Sequence, residues 1–345
     1  MSGPLSLPLE NVYRRPPVNI VADDETLFIH EYERQIAAIE ATALQNVRIL
    51  RNGYLMRAAH VLPHTFAVRP LGLRRVLIAA RVLRHSILSS ISSTIQTGLF
   101  ITDEFSNGFF HWICDVLPRL EALRFLAPEE LETRTVLVPW MASFQYIGET
   151  LKPYGRIGVR NLLAREQIRC NDLLVIPAVA PTGNYRPHLM HAIRTRFRSY
   201  FKSGAAARRI FISRTEAPKR RISNEEALLP VLERFGFERM VLEDLPFAEQ
   251  VRLIGSAEVL AGSHGAGLAN MCWMEPATKV LELRRRGDAE NNCYYSLASA
   301  LNLEYSYMQC DPVESKSDSH GGDLQVDPAE LERSCAALFS ERKTE

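Results

Sequence analysis

Residues 261–273, AGSHGAGLANMCW, close a short apolar run, AEVLAG, and lead into residues able to open a helix. Three glycines surround one histidine, His264. A strand-to-helix turn of this composition lets the backbone approach a bound group closely, and the helix start adds free amides and the positive end of a dipole. That combination suits a phosphate. The dipole contributes about 0.3–1 kcal/mol, up to about 2 when partly buried, so a diphosphate needs cations as well. The plainer reading is a tight turn in which His264 only hydrogen-bonds within the fold.

Outward from this turn, strands and helices alternate. RRIFIS, ERMVLE, AEVLAG, TKVLELR and LEYSYMQ read as strands, separated by the helical patterns NEEALLPVLERFG, PFAEQVRLIGS and NNCYYSLASALN. Such alternation predicts an α/β, doubly wound, Rossmann-like domain with a parallel sheet covered on both faces. Asp327 followed by Pro328 marks the start of a last helix, DPAELERSCAALFSERK, after a solvated loop, SKSDSHGGD. Ligands of open α/β sheets sit beyond the carboxyl ends of the strands. The 262–267 turn and the segment following RRIFIS, which carries Arg214, Lys219, Arg220, Arg221, Asn224 and Glu225, are therefore expected on one edge. Guanidinium groups beside a phosphate-sized turn make a diphosphate site; a solvated basic loop is the alternative.

Upstream, residues 1–25 are expected to form an extended arm. TLFIHEYERQIAAIEATALQ is read as a helix, VRILRNGYLM as a hairpin turning at Asn52-Gly53, and RRVLIAARVL and TIQTGLFITD as strands. FSNGFFHWICDVLPRLEALRFL has apolar residues at helical spacing. TVLVPW and DLLVIPAVAP read as strands, and ASFQYIGETLKPYG as a helix. A basic amphipathic helix, RPHLMHAIRTRFRSYFKS, precedes a break at Gly204. It is either a solvated connector or a peripheral contact with an anionic membrane.

A chain of 345 residues suits two domains, and its 46% apolar and 23% charged composition is that of a globular protein. A net charge of +1 gives no basic field for a general nucleic-acid grip. The six cysteines form no CxxC pair, which argues against a zinc knuckle or redox dithiol. The first residues lack a cationic start and an apolar core, and no 18-residue apolar run occurs, so the expected location is cytoplasmic. GSHGAG is neither GxxxxGK[ST] nor GxGxxG, which removes the NTPase loop and the dinucleotide fingerprint. HGAG resembles the oxyanion loop of esterases, but the chain holds no GxSxG.

The Ser213-Arg214 pair, Arg221, Asn224-Glu225, Gln250, SHGAGLAN at 263–270, Pro276 and LEL at 281–283 together resemble glycosyltransferase family 61. SNGFFHWICDVLPRL at 106–120 resembles that family's Asn-x3-His-x3-Asp block, with Asn107, His111 and Asp115. The resemblance covers about residues 100–310. It implies a GT-B fold of two Rossmann-like domains facing a cleft: residues 1–189 on the acceptor side and 190–345 binding the nucleotide sugar, with the final helix returning to the first domain. It implies an inverting, metal-independent transfer without a cofactor. The donor is a nucleotide sugar, UDP-linked by preference, and the acceptor a glycan or lipid-linked glycan at the inner membrane face, as in capsule or lipopolysaccharide synthesis. The chain also lacks a DxD pair, so cations and amides must stabilise the leaving diphosphate.

An inverting displacement needs a base. His111 and Asp115, spaced i, i+4, share a helix face and are the expected pair, with Asp103 and Glu104 as rivals. Arg214, Arg221, His264, Gly265, Ala266 and Gly267 are assigned to the diphosphate, Asn224 to holding the loop, and Glu282 to a ribose hydroxyl pair. Asn107, Gln250 and Asn270 are weaker candidates, and Trp273 is read as core. The rival functions are a nucleotide-sugar epimerase or dehydrogenase, a binding protein without transferase activity, and a hydrolase.

Overall fold

The computed structural model describes residues 5–50, 53–66, 71–138, 144–162, 166–313 and 322–340. The chain forms two compact units, Met1–Glu10 with Gln35–Leu189 and Asn11–Arg34 with Met190–Glu345. Asn52, Trp140, most of the loop before the last helix and the final Glu341–Glu345 lie outside the described residues.

The first unit is built on β1 (Thr42–Leu50), β2 (Leu55–Arg57), β3 (His60–Val61), β4 (Ser90–Phe100), β5 (Thr135–Val138), β6 (Gly158–Asn161) and β7 (Glu166–Val175). They form one sheet in the order β6-β5-β4-β7-β1-β2-β3. β4 to β7 run parallel, whereas β1 pairs antiparallel with β7, β2 with β1, and β3 with β2. The class is α/β, but this sheet is mixed, not the all-parallel sheet of a Rossmann-like domain. The reason is local: β1 and β2 are joined by a turn containing Gly53 at φ 78°, too short for the crossover that parallel strands require. The core gathers Val47, Ile49, Phe100, Leu137, Ile168 and Leu173.

Two segments of this half differ from their sequence reading. RRVLIAARVL lies in a helix, α1 (Gly72–Leu88). Its apolar residues recur every three or four positions and its alanines, leucines and arginines favour helix. TLFIHEYERQIAAIEATALQ is helical only over Glu25–Phe28 and the following turn; Thr42–Leu50 is instead β1, committed by its long pairing with β7.

The second unit contains β8 (Arg208–Ile212), β9 (Phe237–Met240), β10 (Ala257–Ser263), β11 (Lys279–Arg285), β12 (Glu304–Pro312) and β13 (Leu324–Gln325), in the order β9-β8-β10-β11-β12-β13. β8 to β12 are parallel and β13 is antiparallel to β12. The chain builds outward from β8 to β9, then crosses to β10 on the other side. The switch point, where such sheets bind ligands, lies between β8 and β10. In the first unit β5 and β6 extend one way from β4 and β7 returns on its other side, giving a second switch point between β4 and β7.

Helices α1 and α2 (Leu117–Leu126) belong to the first unit. They are followed by α3 (Pro187–Phe201), α4 (Glu225–Arg234), α5 (Phe247–Gly255), α6 (Cys293–Ala300) and α7 (Pro328–Phe339). Leu331, Cys335 and Leu338 of α7 pack with Phe211, Val259, Leu281 and Leu228. The last helix therefore joins the core of its own unit, a correction to its expected return to the first domain. Its start is as read, with Asp327 accepting from the Ala329 amide at 2.9 Å. The basic residues of α3 do not form an open face: Arg194 donates to the Leu301 carbonyl at 2.6 Å and Arg198 to that of Trp273 at 2.6 Å.

The N-terminal segment is not a loose arm. Within the second unit Phe28 is fully buried against Tyr295, Tyr305 and Tyr307, with the Arg284 guanidinium 4.8 Å from its ring centre. Asn19 bonds both backbone groups of Tyr307, and Asp24 accepts from the Tyr307 hydroxyl at 2.6 Å.

Candidate functional site

Each unit carries one group of candidate residues at its own switch point. In the second unit β8 and β10 end side by side, with Ile212 opposite Gly262. Arg214 follows β8 and lies buried over the glycine turn. A Cβ on Gly265 would stand 2.4 Å from a guanidinium nitrogen of Arg214, and one on Gly267 would stand 3.2 Å from Ile212. Glycine is required here for close approach. Arg214 donates to the Lys219 carbonyl at 3.0 Å, and its Nε has no hydrogen-bond partner. Burial and the neighbouring Arg220 cation lower the Arg214 guanidinium from its ordinary value, with Glu243, Tyr294 and Asp323 opposing. The group stays charged, because arginine starts so high. Ser263 holds the loop through the Arg220 carbonyl at 3.1 Å, and the Arg220 Nε is also buried without a partner. Two crowded cations with unspent donors have the chemistry to hold an anion.

His264 stands at the same edge. Its amide donates to the Leu283 carbonyl at 2.9 Å, so it is not a free donor for a ligand. Its Nδ1 is 2.5 Å from Glu282 Oε1, and Glu282 Oε2 accepts from the Tyr305 hydroxyl at 2.5 Å. Glu282 is fully buried with both oxygens engaged. It acts through His264 and presents no open carboxylate to a ribose, a correction to its assigned role. Burial pushes the Glu282 carboxyl up, but His264, Arg284 and Tyr305 outweigh it and hold it below the usual carboxylate range. Carboxylate contact at Nδ1 fixes the imidazole's orientation and favours the Nδ1-protonated tautomer, leaving Nε2 for a ligand. Ala266 opens a 3-10 helix, Ala266–Trp273, in place of the expected α-helix.

Other residues of the sequence reading take supporting places. Arg221, assigned to the diphosphate, is instead paired with Asp323 at 3.2 Å. Asn224 bonds both backbone groups of Val326, and Glu225 accepts from Ser213 and Arg239, which fixes the loop after β8. Gln250 donates to the Leu242 and Leu245 carbonyls. Asn270 bridges Gly267 and the Trp273 indole, and Trp273 stacks on Phe197 in the core at 4.8 Å. Arg220, named in the sequence reading only as part of the basic loop, is the residue that joins Arg214.

In the first unit β4 and β7 end together, Phe100 opposite Val175. The chain leaves β4 through a buried turn and enters a helical segment: Phe109–His111, a π-turn over Trp112–Val116, then α2. Pro118 lacks the N–H that would bond Cys114 and its ring crowds that carbonyl; a wider turn just upstream relieves both. His111 and Asp115 meet across this turn, Nδ1 to Oδ2 at 2.8 Å, and Thr182, from the segment after β7, donates to Asp115 at 3.1 Å. Phe105 stacks on the imidazole at 5.4 Å. Asp103 is bound to Arg119, the Ser106 hydroxyl and the Phe105 amide, so it is spent structurally. Glu104 is partly exposed, and Asn107 is exposed with its carbonyl accepting from Tyr146. Among the described residues no group of three or more His, Cys, Asp and Glu could hold a metal ion.

The family model described as Glycosyltransferase 61 matches residues 109–281, a stretch that contains His111, Asp115, Arg214 and the glycine turn. An EGF domain-specific O-linked N-acetylglucosamine transferase of Drosophila melanogaster is 31% identical over 105 residues, 29% of this chain and 20% of that protein. The xylan glycosyltransferase MUCI21 of Arabidopsis thaliana is 28% identical over 142 residues, 38% of this chain and 28% of its own length. The matched stretches are thus under a third of those relatives. With half of its length matched, and the matched half spanning both residue groups, the chain belongs to glycosyltransferase family 61.

Proposed function

We propose that this glycosyltransferase moves a sugar from a nucleotide diphosphate sugar to a hydroxyl of a glycan or lipid-linked glycan, with inversion, in a GT-B architecture and without a metal. The observation that carries the donor assignment is the pair Arg214 and Arg220, two cations with unspent donors at the β8/β10 switch point, over a turn kept bare by Gly265. His264 Nε2, the open nitrogen of the Nδ1-protonated tautomer, accepts from a donor-sugar hydroxyl at the same edge. The acceptor oxygen attacks the anomeric carbon, its proton passes to His111 Nε2, and the electrons of the breaking C–O bond go to the diphosphate. Asp115 stabilises the imidazolium that results. The family resemblance makes UDP-N-acetylglucosamine and UDP-xylose the first donors to try, one relative being named an N-acetylglucosamine transferase, and capsule or lipopolysaccharide assembly at the cytoplasmic membrane face is the matching setting.

The test is thermal stabilisation by UDP and these UDP-sugars in EDTA, alongside transfer to glycan acceptors. A hundredfold excess over Kd stabilises by about 2.7 kcal/mol. Stabilisation that requires manganese refutes metal independence. Tightly bound NAD, or UDP-sugar binding with neither transfer nor slow hydrolysis, favours the epimerase or the non-catalytic reading.

A further inference from the structure

We infer that the outward face of α1 docks on an anionic phospholipid surface. Residues 41–102 contain eight arginines and no aspartate or glutamate. Arg74, Arg75, Arg81 and Arg84 lie in α1 itself. The helix is held to its unit by a narrow stripe: Val82 is buried with Leu50 and Met56, Ile78 packs beside it, and Ser86 accepts from Arg48 at 3.0 Å. The opposite side is apolar and open. Leu73, Val76, Leu77, Ile87 and Leu88 are 61–75% exposed. Their three- and four-residue spacing makes one stripe along the helix. A continuous exposed apolar stripe marks a partner or a membrane.

The charges decide between them. Arg74 and Arg81 lie about a quarter turn from Leu73, and Arg84 lies within the stripe. Their long side chains can reach headgroup phosphates while the leucines enter the acyl boundary. A second copy is a poor occupant, because a two-fold contact through this face would set arginines against arginines with no carboxylate of α1 to answer them. Among the described residues no helix is long and apolar enough to cross a membrane, so α1 lies on the surface. This inference does not depend on the donor assignment.

Sedimentation of the full chain with vesicles tests it, using phosphatidylcholine alone or an equal mixture with phosphatidylglycerol. The protein is expected to partition onto the mixed vesicles and to leave at high salt. The L77D/I87D double variant, with unchanged Tm, is expected to lose partition. Each of R74Q, R81Q and R84Q is expected to weaken it about fivefold, the equivalent of about 1 kcal/mol per arginine. Wild-type protein that ignores anionic vesicles, or an L77D/I87D variant that binds them equally, overturns the inference. So does a wild-type dimer that the double variant turns to monomer.

Discussion

Gly265 and Arg214 occupy a space that admits no added carbon. Gly265→Ala would place its Cβ 2.4 Å from the guanidinium, and the flexible arginine would yield before the backbone. The expected result is a small change in Tm with UDP affinity reduced about tenfold to a hundredfold, the value of one charge-assisted hydrogen bond, read by calorimetry. Arg220 and Arg221 make a sharper comparison. Arg221 is half exposed and paired with Asp323, so Arg221→Ala should cost binding little. Arg220→Ala should lower UDP affinity at least tenfold; equal effects of the two would remove Arg220 from the site. The sequence could not separate these neighbours, because the deciding features are remote or conformational: Asp323 comes from a hundred residues away, and Arg220 adopts φ 58°. Glu282 bears on pH. Its folded carboxyl sits below the ordinary 4.5, so its pairing with His264 contributes stability fully present above that value and lost as pH falls through the lower folded value. The stability gap between wild type and Glu282→Gln, measured by urea unfolding, should therefore narrow as pH drops below 4.5; a gap constant with pH would contradict the ionised pair.

At the scale of the element, the segment from Phe109 to Leu126 shows what periodicity conveys. Apolar spacing gives a helix and places His111 and Asp115 on one face, and both are present. The π-turn between them was not legible, although Pro118 is its evident cause. His111→Ala and Asp115→Asn are expected to abolish transfer while leaving UDP affinity within about twofold, since both belong to the first unit and the arginine loop to the second. Parallel losses of UDP binding would make the pair structural. α1 was read as a strand for a related reason. Helical pattern recognition looks for one buried apolar face, and here most of the leucines face outward while only Ile78 and Val82 turn in. Residues 42–45 failed in the opposite sense: a local helical propensity yielded to the strand Thr42–Leu50, whose partner, β7, lies over a hundred positions later, while 47–50 is the strand that was expected.

For the whole chain, the regular strand–helix alternation from Arg208 onward was legible, but the allegiance of residues 11–34 was not. Those residues join the second unit through contacts across more than 260 positions, such as Asn292 to the Leu27 carbonyl at 2.8 Å. No local pattern encodes such a pairing. Its consequence reaches the candidate site: Phe28 packs on Tyr305 and Arg284, Tyr305 donates to Glu282, and Glu282 holds His264. Phe28→Ala removes a fully buried ring and should cost about 3–5 kcal/mol, a large share of a domain's stability. It should also raise amide exchange in α6 and β12, whose Tyr295, Tyr305 and Tyr307 line the cavity left behind. Phe28→Leu, which keeps most of the volume, should restore much of the loss. If instead Phe28→Ala melts within about 1 kcal/mol of wild type and exchange in Glu304–Pro312 is unchanged, the segment is a passive strap, and His264 is held by β10, β11 and β12 alone.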